Sequence, residues 1–354
     1  MGNRKFTKNT SPVPTHKLRL APAPTSTQLA THMPRYVRPD SRTSALAALA
    51  EHGAVALGGG TDLLVTIKEH LAHPEQLVDV RHLPGAREVT LRDDGSARLG
   101  AAVRIADIAA HPELQGRFAA LTQAARLVGT PALRSMGTIA GSLVQRPRCW
   151  YFRRGIACFK NGADGCPAII GENQYHAVFG DGPCHAVHPS DPAVALSALE
   201  ATVEIVGHAN THRSVAIGQF FDGAAQNPLG EAALAAGELI EAIELPARSA
   251  GGRQRYVKLM QRGAWDFALV SLAAARRTDG EVRLVLGGVA AAPFRLNQSV
   301  EEDVQSGGLD EDSLDALAER ALYDARPLSK NGYKVKQARS LLRDAMRWLA
   351  AGDP

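Results

Sequence analysis

The chain has 354 residues, 45% apolar and 21% charged, enough for two or three domains with buried cores. No stretch approaches the roughly 18 uninterrupted apolar residues of a membrane-crossing helix. The net charge is +4, but seven Lys and Arg precede Asp40 with no carboxylate among them. The remainder stands at about −3, so a nucleic-acid-binding surface gains no support.

Residues 1–32 are rich in Thr, Pro and Lys, lack hydrophobic periodicity and contain no apolar run typical of a secretory signal. Such a segment cannot bury enough apolar surface to offset its ordering entropy, so a disordered tail is expected, with folding starting near Met33. Without a signal of its own the chain is expected in the cytoplasm, or in the periplasm if exported with a partner. Residues 41–51 have the Ala and Leu content of a helix with Ser or Thr near its start, closed by Gly53. Ala54–Leu57 reads as a buried strand and 77–80 as a second, which together suggest a small α/β subdomain. A hairpin is expected over 89–105 around Asp93, Asp94 and Gly95, and a helix over 117–128. Further on, 193–199 reads as a helix and 201–206 as a strand. A second domain is expected from Pro228, with strands at 239–245, 256–260, 268–275 and 282–289 and helices at 313–323 and 335–350.

The first strand runs from Leu57 into Gly58, Gly59, Gly60, Thr61 and Asp62. Glycines let backbone amides converge on an anion with no Cβ in the way, and successive N–H groups form a nest suited to a pyrophosphate. The spacing is neither a dinucleotide fingerprint nor a P-loop, so a plain tight turn is an equal reading. Thr138 to Ser142 is a second turn of small residues. Asp191, after Pro189 and Ser190, is a carboxylate before a helix, where its ordinary job would be to cap it.

Cys149, Cys158, Cys166 and Cys184 are the only cysteines and fall within one segment, 146–188, spaced C-x8-C-x7-C-x17-C. Two disulfides would suit an oxidising compartment, which no signal supports. Zinc prefers short C-x2–4-C knuckles, absent here. A [4Fe–4S] cluster takes four thiolates at wider spacing, and Arg146, Arg148, Arg153, Arg154 and Lys160 offer it counter-charge. The spacing favours the cluster over zinc. His176, His185 and His188 are candidate spare ligands, though loop histidines more often serve packing.

Several of these motifs together carry a resemblance. Tyr36-Val37-Arg38-Pro39, the Leu57–Asp62 turn, the 138–142 turn and the Pro189-Ser190-Asp191 box follow the order seen in FAD subunits of the xanthine dehydrogenase and aldehyde oxidoreductase family. The run from Tyr256 to Arg262, the stretch from Ala264 to Ser271, and Leu286-Gly287-Gly288-Val289-Ala290 are similar to that family's C-terminal domain. The likeness spans roughly Met33 to Trp348. It departs at the second turn, where Ala140 and Ser142 stand in place of the family's Gly and Asn.

The resemblance implies an α+β fold: a two-subdomain FAD-binding domain of PCMH/VAO-like type over 33–227, with the cysteine insert at 146–188, then a smaller α+β domain over 228–350. It implies FAD held by Leu57, Gly58, Gly59, Gly60, Thr61 and Asp62 on one wall and by Thr138, Gly141 and Ser142 on the other. Asp191 would meet the ribityl hydroxyls, and Ile240 and Lys258 the isoalloxazine ring, where a cation favours the negative charge of the reduced ring. The insert resembles that of periplasmic-type aldehyde oxidoreductases, with Cys149, Cys158, Cys166 and Cys184 as ligands of a [4Fe–4S] cluster. Partners would be a large subunit with the molybdenum cofactor and a small subunit with [2Fe–2S] centres, forming a heterotrimer. The implied role is electron transfer to an external acceptor, with no catalytic residue on this chain. A 4-hydroxybenzoyl-CoA reductase-like or xanthine dehydrogenase-like complex is an alternative. A stand-alone flavoenzyme of the UDP-N-acetylenolpyruvoylglucosamine reductase type would leave the cysteines unexplained. From another class, a zinc-stapled interaction protein would bind metal and no flavin.

Overall fold

The computed structural model describes residues 33–180, 182–224 and 227–351. The expected tail at 1–32 lies outside the described residues. Strands β1 (Arg35–Val37), β2 (Ala54–Leu57) and β3 (Gln76–Asp79) form a parallel sheet in the order β1-β3-β2. Parallel pairing needs a crossover between strands. The helices Arg42–Leu49 and Leu63–Lys68 supply it. Ser41 starts the first helix by accepting from the Ser44 amide in a capping box, and Gly53 follows it at φ +66. Leu46, Leu49 and Val78 form the small core of this α/β subdomain.

The second sheet takes β4 (Val89–Leu91), β5 (Ala97–Gly100), β6 (Thr202–Val206), β7 (His212–Ala216) and β8 (Leu239–Leu245) in the antiparallel order β4-β5-β8-β6-β7. β8 was expected in the second domain. It is instead the middle strand here, with Leu99 opposite Ile243 and Val203 opposite Ile243 on its other side. The first domain therefore runs on past residue 228 to at least Leu245. The helix expected over 117–128 is present as Ala119–Arg126, and Phe118, at φ −134 and ψ 56 with its ring fully buried, separates it from a preceding short helix, Pro112–Arg117.

The third sheet, β9 (Arg253–Leu259), β10 (Val270–Arg276), β11 (Val282–Gly287) and β12 (Phe294–Arg295), is antiparallel in the order β12-β11-β10-β9. Strand side chains alternate between faces. Leu272, Ala274, Leu284 and Leu286 pack on the C-terminal helices, while Tyr256, Ala273 and Val285 point into the core of the first domain. That double burial explains why β10 and β11 read as continuous apolar runs. The C-terminal helices are Gln298–Ser306, Glu311–Ala321 and Tyr333–Ala350. The first of them has only Val300 and Val304 on its buried apolar stripe, too weak a pattern to be read from sequence.

The segment 146–188 lies between the two domains and is tied to both. Arg146 and Arg153 reach Asp62 on one side. On the other, Asn331 Nδ2 donates to the carbonyls of His176 and Ala177, and Tyr333 Oη donates to that of Gln174. Phe179 stacks on Phe294 with centroids 4.1 Å apart.

Candidate functional site

The two small-residue turns meet face to face. A Cβ on Gly58 would come within 2.9 Å of Thr138 Oγ1, and one on Gly59 would overlap the backbone of Met136 and Gly137. Gly60 has φ +72, and the Thr61 hydroxyl lies beside Gly137. Thr138 is buried and caps the helix Ile139–Leu143 by accepting from Gly141 N at 3.2 Å. Leu57 is buried at the end of β2. Asp62 makes no cap bond to its own helix. Its carboxylate accepts from Arg146 N and Arg153 Nη2, each at 2.7 Å, and pairs with Arg148 Nη1 at 2.8 Å.

Ser142 Oγ lies 2.9 Å from Ser190 Oγ, which joins the second turn to the Pro189-Ser190-Asp191 box. Ser190, not Asp191, caps the helix Asp191–Ala198, accepting from Ala193 N at 3.2 Å. That frees Asp191 for the next domain. Tyr256 Oη donates to one carboxylate oxygen at 2.6 Å and Lys258 Nζ to the other at 2.7 Å, all three side chains buried. Lys258 also donates to Leu127 O at 3.0 Å. Burial pushes the Asp191 carboxyl above its usual range, and these two donors draw it back towards the ionised form. Tyr256 is held well above its ordinary value by burial and the nearby carboxylate. Ile240, in β8, belongs to the core of the first domain.

Beside this triad opens a cavity of about 290 Å³ between the two domains and the insert. Ser190, Asp191 and Ser271 form one side, Gln261 and Phe267 another, and Arg148, Trp150, Tyr175 and His176 a third. Of the residues expected around a cofactor, Asp191 borders this space, and the glycine turns do not. They connect to it through Asp62 to Arg148 and through Ser142 to Ser190. His176 is 3% exposed, with Nε2 3.2 Å from Cys149 Sγ and Nδ1 without a hydrogen-bond partner. Burial pushes it down to about 4, so it is neutral near pH 7.

All four cysteines are free and line one narrow cleft together with Tyr151, Phe152 and Lys160. Cys149 and Ala186 line this cleft and the larger cavity alike. Burial raises the Cys149 thiol to about 12 and moves Cys184 the same way. Among the described residues, no three His, Cys, Asp or Glu side chains are gathered closely enough to hold a single metal ion. Four of the five basic residues expected as counter-charge have carboxylate partners of their own. Arg148 and Arg153 pair with Asp62, and Arg146 and Lys160 with Glu231 at 2.7 and 2.5 Å.

Residues 29–248 match the family described as the FAD binding domain in molybdopterin dehydrogenase, and residues 255–349 match the CO dehydrogenase flavoprotein C-terminal domain. The chain belongs to the FAD-binding subunits of the molybdenum hydroxylases. It is 37% identical over 306 residues to the aldehyde oxidoreductase FAD-binding subunit PaoB of Escherichia coli (strain K12), covering 86% of this chain and 93% of that one. The glyceraldehyde dehydrogenase medium chain of Sulfolobus acidocaldarius is 28% identical over 299 residues, 83% of this chain and 89% of its own. In fold, the chain is similar to the carbon monoxide dehydrogenase of Hydrogenophaga pseudoflava, with TM-score 0.69, 23% identity and coverage of 90% and 98%.

As an FAD-binding subunit of this family, the chain is part of an oxidoreductase, and its α and β architecture agrees with the sequence expectation. The sequence reading assigned no site role to Trp150, next to Cys149, or to Phe267, within the 264–271 stretch, because single aromatic positions carry no periodic signal of a cavity wall. No helix among the described residues is long and apolar enough to cross a membrane.

Proposed function

We propose that this subunit carries electrons in an aldehyde-oxidising molybdenum hydroxylase, with FAD between its two domains and a [4Fe–4S] cluster in the cysteine cleft. The observation that carries the reading is the junction of two spaces at Cys149: one lined by four free thiols, the other a large cavity between the domains. The likeness to an aldehyde oxidoreductase FAD-binding subunit supports the substrate class.

FAD, when bound, supplies reversible electron transfer. Gly58 to Asp62, Thr138 and Gly141 would hold its pyrophosphate, as glycine-rich turns with converging amides can. The cavity beside Asp191 would take the ring. Ser142 positions Ser190, and Lys258 holds Asp191 in place. Ile240 supports the sheet behind them. Cys149, Cys158, Cys166 and Cys184 would hold the cluster. A cluster spreads its ligands over several metal atoms, which suits four thiols around one cleft better than a zinc ion, which draws its ligands to one point. The large molybdenum-cofactor subunit and the small [2Fe–2S] subunit complete the proposed heterotrimer, passing electrons through this chain to an external acceptor.

Cys158 is the most buried of the four ligands, at 7% exposure. Cys158→Ser should remove most of the iron while leaving FAD largely bound, measured by metal analysis and flavin absorbance on the same sample. Anaerobically purified wild-type protein with stoichiometric zinc and no iron would overturn the cluster assignment.

A further inference from the structure

The charged groups facing the cavity have opposite partners. Arg148 pairs with Asp62, Asp191 with Lys258, and Asp266 with Arg262 at 3.6 Å. His188 is neutral near pH 7, because burial pushes it down to about 4. Directly behind the cavity wall lies a cation of another kind. Lys334, in the first turn of the helix Tyr333–Ala350, is 0% exposed. Its Nζ donates to Gly288 O at 2.8 Å, Tyr175 O at 3.0 Å and His176 O at 3.1 Å. All three carbonyls belong to residues of the cavity wall. Among the described residues, no carboxylate pairs with it.

Burying a charge without a counter-ion is costly, and three neutral carbonyls offset only part of that cost. A neutral amide could donate to these carbonyls without the penalty of a buried charge. Burial lowers the Lys334 ammonium to about 7, so its proton is held loosely near neutral pH, and the charge has a use if the cavity holds a group that becomes negative. We propose that Lys334 is a positioning residue of the flavin cavity, pinning its 175–176 and 288 walls and supplying the net positive charge that favours a negative ring. This is the part expected of Lys258, which the structure commits to Asp191. The inference rests on the ring occupying this cavity.

The test is a spectroelectrochemical titration of flavin in the purified complex, wild type against Lys334→Gln and Lys334→Arg. Flavin content and thermal melting are followed in each. Gln keeps amide donors for the carbonyls and removes the charge. The expected result is a Gln variant that retains FAD with a lower flavin midpoint potential, and an Arg variant close to wild type. A flavin-containing Gln variant at the wild-type potential overturns the proposal, as does a shift confined to the iron couple. Loss of flavin from Gln alone, with Arg retaining it, supports the charge. Loss from both shows packing as the sole role and also overturns it. A wild-type complex without flavin would remove the flavin reading itself, whereas bound flavin at an unmoved potential removes this inference alone.

Discussion

His188 follows the commoner of the two readings its sequence allows, packing in place of metal ligation. In the structure it is buried, with Nε2 donating to Leu143 O at 3.1 Å and Nδ1 accepting from Ser190 N at 3.4 Å. Those two bonds require the neutral ring. Burial lowers its value from 6.5 to about 4. The unfolded chain therefore takes up a proton at higher pH than the folded one. The stability that His188 contributes is complete above about 6.5, is lost as pH falls towards 4, and levels off below. The loss amounts to about 3 kcal/mol for a shift of this size. His176, shifted in the same direction, adds to the slope. Urea unfolding at a series of pH values should show stability falling through this window, and His188→Gln should reduce the slope. A pH-independent midpoint between 4 and 6.5 would contradict the burial argument.

At the scale of elements, the glycine turns decide the cofactor wall. The sequence suggested that a side chain at Gly59 would strike phosphate oxygens. The structure shows a nearer obstacle, the backbone of Met136 and Gly137 in the facing turn. Gly59→Ala should therefore destabilise the flavin-free protein as well, by about 1–3 kcal/mol, because the turns must separate. Gly141→Ala meets only Thr138 Oγ1, at 2.9 Å, and should cost less. Melting curves of flavin-depleted samples test the order; equal melting of both variants and wild type would show that the turns do not bear on each other. Elements with strong local signals were legible: Ser41 at a helix start, the β2 run into glycines, the long C-terminal helix. What was not legible depends on distant partners. Nothing local to 239–245 says that it pairs with Leu99 and Val203, so it was assigned to the wrong domain.

For the whole molecule, the parts meet between domains. Asp191 comes from the first domain, Tyr256 and Lys258 from the second, and Cys149 from the insert that lies between them. The motifs named most of these residues, but their juxtaposition could not be read from spacing. The alternation of β9 does explain it afterwards, since Gln254, Tyr256 and Lys258 share the face turned to the first domain. Together the parts form two adjoining spaces for electron carriers, and the chain is proposed to work only beside subunits that oxidise the substrate. The most direct test is a visible spectrum of the anaerobically purified protein, recorded with iron, acid-labile sulfide and FAD determined on the same sample. The account predicts flavin bands with a broad iron–sulfur shoulder near 400 nm, with four iron and four sulfide per FAD from this subunit once the partner's centres are subtracted. Flavin bands without that iron, or no flavin at all, would contradict it.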